Sequence, residues 1–102
     1  MLLVGSLAAS AAILLAADAP KHNVKPKEGY VPDAKTAIRI AVAVWEPIYG
    51  EEQIAKLKPY KATLTNGVWT VEGSLPGLVL GGAAVAEIMK EDGRILRVSH
   101  GR

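Results

Sequence analysis

The dipeptide Asn66-Gly67 constrains the fold of this chain more than any other feature of its sequence. Both residue types tolerate a positive φ angle, which makes the pair the strongest short signal for a two-residue β-hairpin turn. Apolar and polar residues alternate on either side of the pair, over residues 60–65 and 68–73. An alternation with a period of two is typical of strands with one buried face. The sequence therefore predicts an antiparallel hairpin at this point.

A second hairpin is predicted close to the C-terminus. Residues 83–90 and 94–100 contain strand-like apolar runs, and Asp92-Gly93 lies in the connection between them. Asp-Gly is a further hairpin turn signal. The two hairpins together predict four antiparallel strands, and one face of such a sheet needs an element to cover it.

One long amphipathic helix is available to cover the sheet, over residues 34–46, with Asp33 as its expected N-cap. Pro47 disfavours helical geometry in Glu46, where the helix should weaken. Residues 51–57 are suited to a short second helix. The expected fold class is α+β, with one main helix and a short second helix packed on a four-stranded antiparallel sheet. Spacings of i, i+3, i+4 and i+7 place four residues on one face of the main helix: Ile38, Ala41, Val42 and Trp45.

The N-terminal residues have the character of an export signal. Residues 2–17 contain no charged side chain, and Ala17-Asp18-Ala19 has the small-x-small form of a cleavage site. The run suits the apolar region of a secretory signal and is short for a transmembrane helix. Because no Lys or Arg precedes it, an uncleaved anchor is the alternative. We interpret residues 1–19 as a signal peptide, 20–28 as a linker or disordered arm, and 29–102 as a single domain, exported to the periplasm.

The composition narrows the classes of function. The chain has no cysteine, which excludes disulfides, thiolate metal sites and a lipidated cysteine. Its formal net charge is +2, without the clustered basic patch that nucleic-acid binding needs. His22 and His100 are too far apart in the sequence to indicate a local metal pair. We therefore expect no metal, no cofactor and no nucleic-acid partner.

No residue pattern indicates a catalytic site. The sequence has no phosphate-binding glycine loop and no serine in a nucleophile elbow. Glu72 and Glu87 are the acids inside predicted strands, and two interpretations stay open for them. Each could lie in a concave apolar face and act as a general base. Each could instead lie on a solvated face, in a cross-strand ion pair with Arg97 or Lys61.

The least strand-like stretch of the second half is SLPGLVLGG, residues 74–82. Pro-Gly and Gly-Gly interrupt it, which is typical of a loop. Leu78, Val79 and Leu80 are consecutive apolar residues within it. Such a loop either folds over the core or forms an exposed apolar patch that contacts a partner.

Three segments together resemble a known family: GYVPDAKTAIRIAVAVWEPIYGEE at 29–52, KPYKATLTNGVWTVEGSLP at 58–76 and GGAAVAEIMKEDGRILRVSHGR at 81–102. They resemble the bacterial immunity proteins with a nuclear transport factor 2-like fold, including the small exported members. The resemblance implies a cystatin-like domain, in which a curved sheet wraps on its helix. It also implies a binding role, the neutralisation of a cognate protein toxin, and it brings no catalytic residue.

The sequence thus predicts a small exported binding protein, not an enzyme, that neutralises a toxin by steric occlusion. The first alternative is a small periplasmic enzyme that uses Glu72 or Glu87 as a general base. The second is a structural envelope module, held at the membrane through an uncleaved N-terminal segment. Aromatic and arginine side chains often anchor interfaces, and the candidate contacts lie on the sheet or its loops: Trp69, Glu72, Leu78, Val79, Leu80, Arg97 and His100.

Overall fold

The computed structural model describes residues 21–75 and 83–101 of the chain. Within these ranges, a pair of helices precedes four strands, and all are numbered here in chain order. The predicted α+β fold class is confirmed. The helices are α1, Ala34–Tyr49, and α2, Glu51–Ala55. The strands are β1, Lys61–Thr65, β2, Val68–Glu72, β3, Val85–Met89, and β4, Ile95–Ser99.

The four strands form one antiparallel sheet in the order β1-β2-β3-β4, in which pairing of β2 with β3 joins the two predicted hairpins. Asn66 and Gly67 connect β1 to β2 with φ angles of 50° and 77°, so both turn residues adopt the expected positive φ. Thr65 pairs with Val68 directly across this turn. That single pair fixes the register, and with it which side chains of the two strands share a face.

The start of α1 lies at the predicted cap. One oxygen of the Asp33 carboxylate accepts hydrogen bonds from the Thr36 N–H at 2.8 Å and from the Thr36 hydroxyl at 2.6 Å. These bonds lower the pKa of the Asp33 carboxyl, because they favour its charged form. The cap therefore satisfies one of the backbone donors that every helix leaves unpaired at its start.

The end of α1 differs from the prediction. The sequence predicts a weakening at Glu46, but the helix continues through Pro47 and ends at Tyr49. Pro47 has no N–H to donate to the carbonyl of Ala43. Ala43 is exposed, so water can bind that carbonyl and the helix tolerates the proline. Gly50 then ends the helix with a φ of 96°, a conformation that glycine adopts readily.

The second helix is shorter than the predicted residues 51–57, because the helical part of α2 ends at Ala55. Ile54 is buried in the core and anchors it. The Ile54 carbonyl accepts a hydrogen bond from the Tyr60 hydroxyl at 2.8 Å. Burial raises the pKa of the Tyr60 hydroxyl, because it disfavours the charged form.

The core lies between α1 and one face of the sheet, and both tryptophans belong to it. Trp45 has no exposed surface, and its Nε1 donates to the Val85 carbonyl at 3.2 Å. Trp69 is 7% exposed, and its Nε1 donates to the Val31 carbonyl at 2.8 Å. Each indole N–H thus has the partner that a buried tryptophan usually requires. The remaining fully buried side chains include Ala37, Ala41, Ile54, Val71, Ala84, Ala86 and Ile88.

The N-terminal arm contacts the turn between β3 and β4. Residues 21–33 contain no helix or strand, but the Tyr30 N–H donates to the Glu91 carbonyl and the Val31 N–H to the Lys90 carbonyl, each at 3.0 Å. Lys25 forms an ion pair with Glu91. The hydrogen bond that the Lys25 ammonium donates to the Glu91 carboxylate raises the pKa of Lys25. The segment interpreted as a linker or disordered arm is therefore attached to the domain from Lys25 onward.

Two predictions fall outside the described residues. They are the signal peptide of residues 1–19 and the apolar loop that contains Leu78, Val79 and Leu80. Within the portion of the chain that the structure describes, neither helix combines the length and the apolar character that crossing a bilayer would take.

Candidate functional site

The sheet has a face that α1 covers and an opposite face, which we call the open face. Burial alternates along β2 and β3, so that Val71 and Ile88 are buried while their neighbours in the chain are not. Successive side chains of a strand point to opposite faces, so the less buried set lies on the open face. Its members in register are Lys61, Thr63, Thr65, Val68, Thr70, Glu72, Val85, Glu87, Met89, Arg97 and Ser99.

An ion pair lies in the row of the open face that crosses all four strands. Thr63, Thr70, Glu87 and Arg97 are successive partners in this row. The Arg97 Nη2 donates to the Glu87 carboxylate at 3.0 Å, and its Nη1 donates to the Ser99 hydroxyl at 3.0 Å. This confirms the interpretation of Glu87 as a partner in a cross-strand ion pair. The guanidinium is held in place at one end and stays accessible, with 52% of the Arg97 side chain exposed.

The two strand glutamates differ in their surroundings. Glu72 is exposed at the end of β2, in register with Lys61 and Val85. Glu87 is engaged by Arg97. Both carboxylates are therefore at least partly accessible to solvent.

Trp69 requires a correction as a candidate contact. It lies on the covered face and is buried, with its N–H bonded to the Val31 carbonyl. The alternation already places Trp69 and Val71 together, opposite Glu72. A side chain with 7% of its surface exposed cannot anchor a partner directly, so Trp69 supports the sheet from behind.

His100 and Arg97 are not brought together. His100 follows β4 and packs against Tyr49 at the end of α1, with ring centroids 4.7 Å apart and planes tilted by 45°. It is exposed, and it lies at the junction of helix and sheet. Arg97 belongs to the open face. Of the predicted contacts among the described residues, only Glu72 and Arg97 share a face.

The edge strand β4 has a feature that the sequence reasoning missed. Glu87 pairs with Arg97 while the next residue, Ile88, pairs with Ile95, so Leu96 is an extra residue in β4. This is a β-bulge, which changes the direction of side chains locally. Ile95 and Leu96 are both exposed, by 38% and 45%. Two adjacent apolar residues interrupt the alternation of this strand, and that interruption was the available signal.

Metal-ligating side chains are dispersed among the described residues. Within residues 21–75 and 83–101, no three His, Cys, Asp or Glu side chains lie close enough together to bind a metal ion. A depression on the outer side of α1 is lined by Ala43, Glu46, Pro47 and Glu51, and it is open to solvent. An open depression does not exclude water as small-molecule sites usually do.

A helix packed on a four-stranded antiparallel sheet, with a partly charged opposite face, defines this chain as a small α+β protein. The chain belongs to the NTF2 fold immunity protein family, which matches it over residues 36–102. It is similar to an uncharacterized protein of Escherichia coli strain K12, YhhH, with 34% identity over 93 residues, 79% of this chain and 73% of that protein. No solved structure shows a significant match. The fold and family expected from the resemblance are confirmed.

Proposed function

We propose that this chain is an exported immunity protein that binds one cognate toxin and blocks it sterically. The observation that supports the proposal is membership of the NTF2 fold immunity protein family. Immunity in this sense requires a complementary surface and no chemistry on the toxin. The protein then acts as a binding partner and not as an enzyme.

The open face is the surface that we assign to the toxin. It is held rigid from behind, because Val71 and Ile88 of the same strands are fully buried under α1. Its threonines and the exposed portion of Arg97 supply hydrogen-bond donors and acceptors. Arginine is enriched among the residues that dominate binding energy. A preformed surface of this kind binds without a large ordering cost.

The products of the genes adjacent to this one are the candidate toxins for the test. Cells that express the cognate toxin should grow only when the chain is co-expressed, and the two proteins should elute together in size-exclusion chromatography. Absence of rescue and of co-elution for the unmodified chain would disprove the immunity function.

A matched pair of variants tests the open face. Thr63→Arg adds an arginine to an exposed position of the open face, and Ala43→Arg adds one to an exposed position on the outer side of α1. We expect Thr63→Arg to abolish rescue and Ala43→Arg to preserve it, at equal expression and thermal stability. The reverse result would assign the toxin to the helix side.

The proposed export has its own test. The export proposal is supported by the uncharged run of residues 2–17 and the cleavage sequence after it. N-terminal sequencing of the protein from the periplasmic fraction should give a start close to Pro20. A start at Met1 in the membrane fraction would instead indicate the anchored envelope module.

A further inference from the structure

The outer edge of β4 is a surface that the proposed function does not explain. β4 pairs with β3 on one side, and no other strand of the described chain pairs with it on the opposite side. An edge strand presents backbone N–H and C=O groups that can bind another extended segment. β4 therefore offers a site at which a strand can be added.

The two edges of the sheet differ in the side chains that they expose. β1 has a single exposed large apolar residue, Leu64, which is ordinary for a protein surface. β4 has two adjacent ones, Ile95 and Leu96, and the bulge leaves Leu96 outside the regular pairing. An apolar pair on a free edge is costly to leave in water, and natural edges usually avoid it. The exposed pair favours β4 over β1 as the docking edge.

The charges of this edge define what it would bind. Arg94 and Arg97 are exposed, and residues 93–101 contain no acidic side chain. The nearest acids in sequence are Glu91, which pairs with Lys25, and Asp92, which accepts a hydrogen bond from the Arg94 N–H. Arg97 is paired with Glu87 on the open face, yet 52% of its side chain remains exposed. Charge complementarity across an interface suppresses wrong partners and steers the right one. A segment with acidic and apolar residues complements this edge.

We propose that β4 docks an extended acidic and apolar segment of the toxin as an additional strand. The proposal rests on the proposed function, which supplies the toxin as partner. Backbone hydrogen bonds to the edge give affinity, while the two arginines and the pair Ile95 and Leu96 select the side chains. A second copy of the chain fits poorly, because each copy brings Arg94 and Arg97 to the shared edge. Like charges placed opposite each other destabilise strand pairing.

The first test titrates the full chain with two capped synthetic peptides, one of alternating glutamate and valine and one of alternating lysine and valine. Backbone amide shifts measured by NMR should change along β4 and not along β1. The lysine peptide should bind more weakly by roughly fivefold, as expected for loss of an exposed charge contact. Equal binding of both peptides, shifts centred on β1, absence of binding, or self-association through β4 would each overturn the proposal.

Two charge reversals make a matched comparison. Arg94→Glu changes the docking edge, and Arg39→Glu makes the same change at an exposed position of α1. Arg94→Glu should weaken binding of the glutamate peptide by about fivefold and strengthen binding of the lysine peptide. Arg39→Glu should leave the affinity for both peptides unchanged. Equal effects of the two variants would mean that only net charge matters, and would contradict a site on β4.

The toxin assay separates failure of this inference from failure of the proposed function. If the toxin binds Arg94→Glu and Leu96→Ser as tightly as the unmodified chain, docking on β4 is wrong and immunity stands. If the toxin does not bind the unmodified chain but the glutamate peptide binds β4, the edge site stands and immunity is wrong. Docking on β4 and the immunity function both stand if Arg94→Glu and Leu96→Ser bind the toxin less tightly than the unmodified chain, while Arg39→Glu binds it as tightly.

Discussion

The two faces of the sheet are built from the same strands and differ in what α1 does to them. On the covered face, Val71, Ala86 and Ile88 have no exposed surface. On the open face, threonines and the ion pair of Glu87 and Arg97 remain in contact with water. Successive side chains of each strand lie on opposite faces of the sheet. Residues that are neighbours in sequence therefore lie in two different environments.

Because of this difference, we expect residues of the covered face to serve folding and residues of the open face to serve recognition. A buried apolar side chain contributes to the free energy of unfolding in proportion to the surface that it removes from water. An exposed side chain contributes little to that free energy and is available to a partner. Substitutions on the covered face should therefore act on stability, and those on the open face on toxin binding.

The largest expected effect is that of Trp45→Ala on the helix side of the core. Trp45 is fully buried, and removal of such a side chain costs about 3–5 kcal/mol of unfolding free energy. Thr63→Ala on the open face should change it by less than about 0.5 kcal/mol. Urea unfolding followed by circular dichroism measures both. Similar values for the two variants would contradict the division between the faces.

Gly29→Ala should have the next largest effect on the free energy of unfolding, because at Gly29 the N-terminal arm packs against the end of the covered face. Its φ is +96°, and a Cβ there would lie 2.5 Å from the Lys90 carbonyl oxygen. Strain of this kind costs about 1–3 kcal/mol. Gly67→Ala is the control, since Gly67 also has a positive φ but its Cβ would meet no atom within 4 Å. Equal losses in chemical denaturation would show that only φ matters and that the arm is not tightly packed.

The fold could be predicted from the sequence wherever one local signal dominates. Asn66-Gly67 fixes the first hairpin, and the alternation after it assigns Val71 to the core. The end of α1 could not be predicted in the same way. The missing N–H of Pro47 opposes a continuous helix, and only the tertiary structure shows that Ala43, whose carbonyl loses that donor, is exposed to solvent.

The candidate site was less predictable, because its features depend on pairs of strands. The sequence leaves Glu87 open between a general base and an ion pair with Arg97 or Lys61, and the pairing of β3 with β4 selects Arg97. The adjacent apolar residues Ile95 and Leu96 signal an irregularity in β4, but only the register of β3 against β4 places the bulge at Leu96. The sequence assigns Trp69 both to the apolar face and to the interface. Its burial in the structure places it on the apolar face. The prolines and lysines of the arm suit a linker, whereas its backbone bonds to Glu91 and Lys90 are visible only in three dimensions.

A smaller effect, with a specific dependence on pH, is expected for Asp33→Asn at the start of the helix that covers the sheet. Asparagine caps a helix about as well as aspartate, so the two proteins should have similar melting temperatures at neutral pH. The pKa of Asp33 is lowered from its ordinary value of 3.8, so its charged cap stabilises the fold above that value. This contribution is lost as the pH falls through the lower folded-state pKa.

Thermal melts over the acid range measure this difference. Below about pH 4, the melting temperature of the unmodified chain should fall relative to that of Asp33→Asn, which has no carboxyl at this position. Parallel curves would mean that the carboxylate does not cap α1.

The smallest effect on stability is expected for the ion pair of Glu87 and Arg97, and this tests the open face itself. Their side chains are 30% and 52% exposed, and exposed pairs contribute about 0.2–1 kcal/mol. A double-mutant cycle with Glu87→Ala and Arg97→Ala measures the coupling, which should shrink as salt is added. Arg97→Ala should nevertheless weaken binding of the proposed toxin, because it removes an arginine from the surface that we assign to this partner while the sheet remains folded. A coupling as large as the cost of Trp45→Ala would show that the open face also holds the fold together, and the separation of folding from recognition would fail.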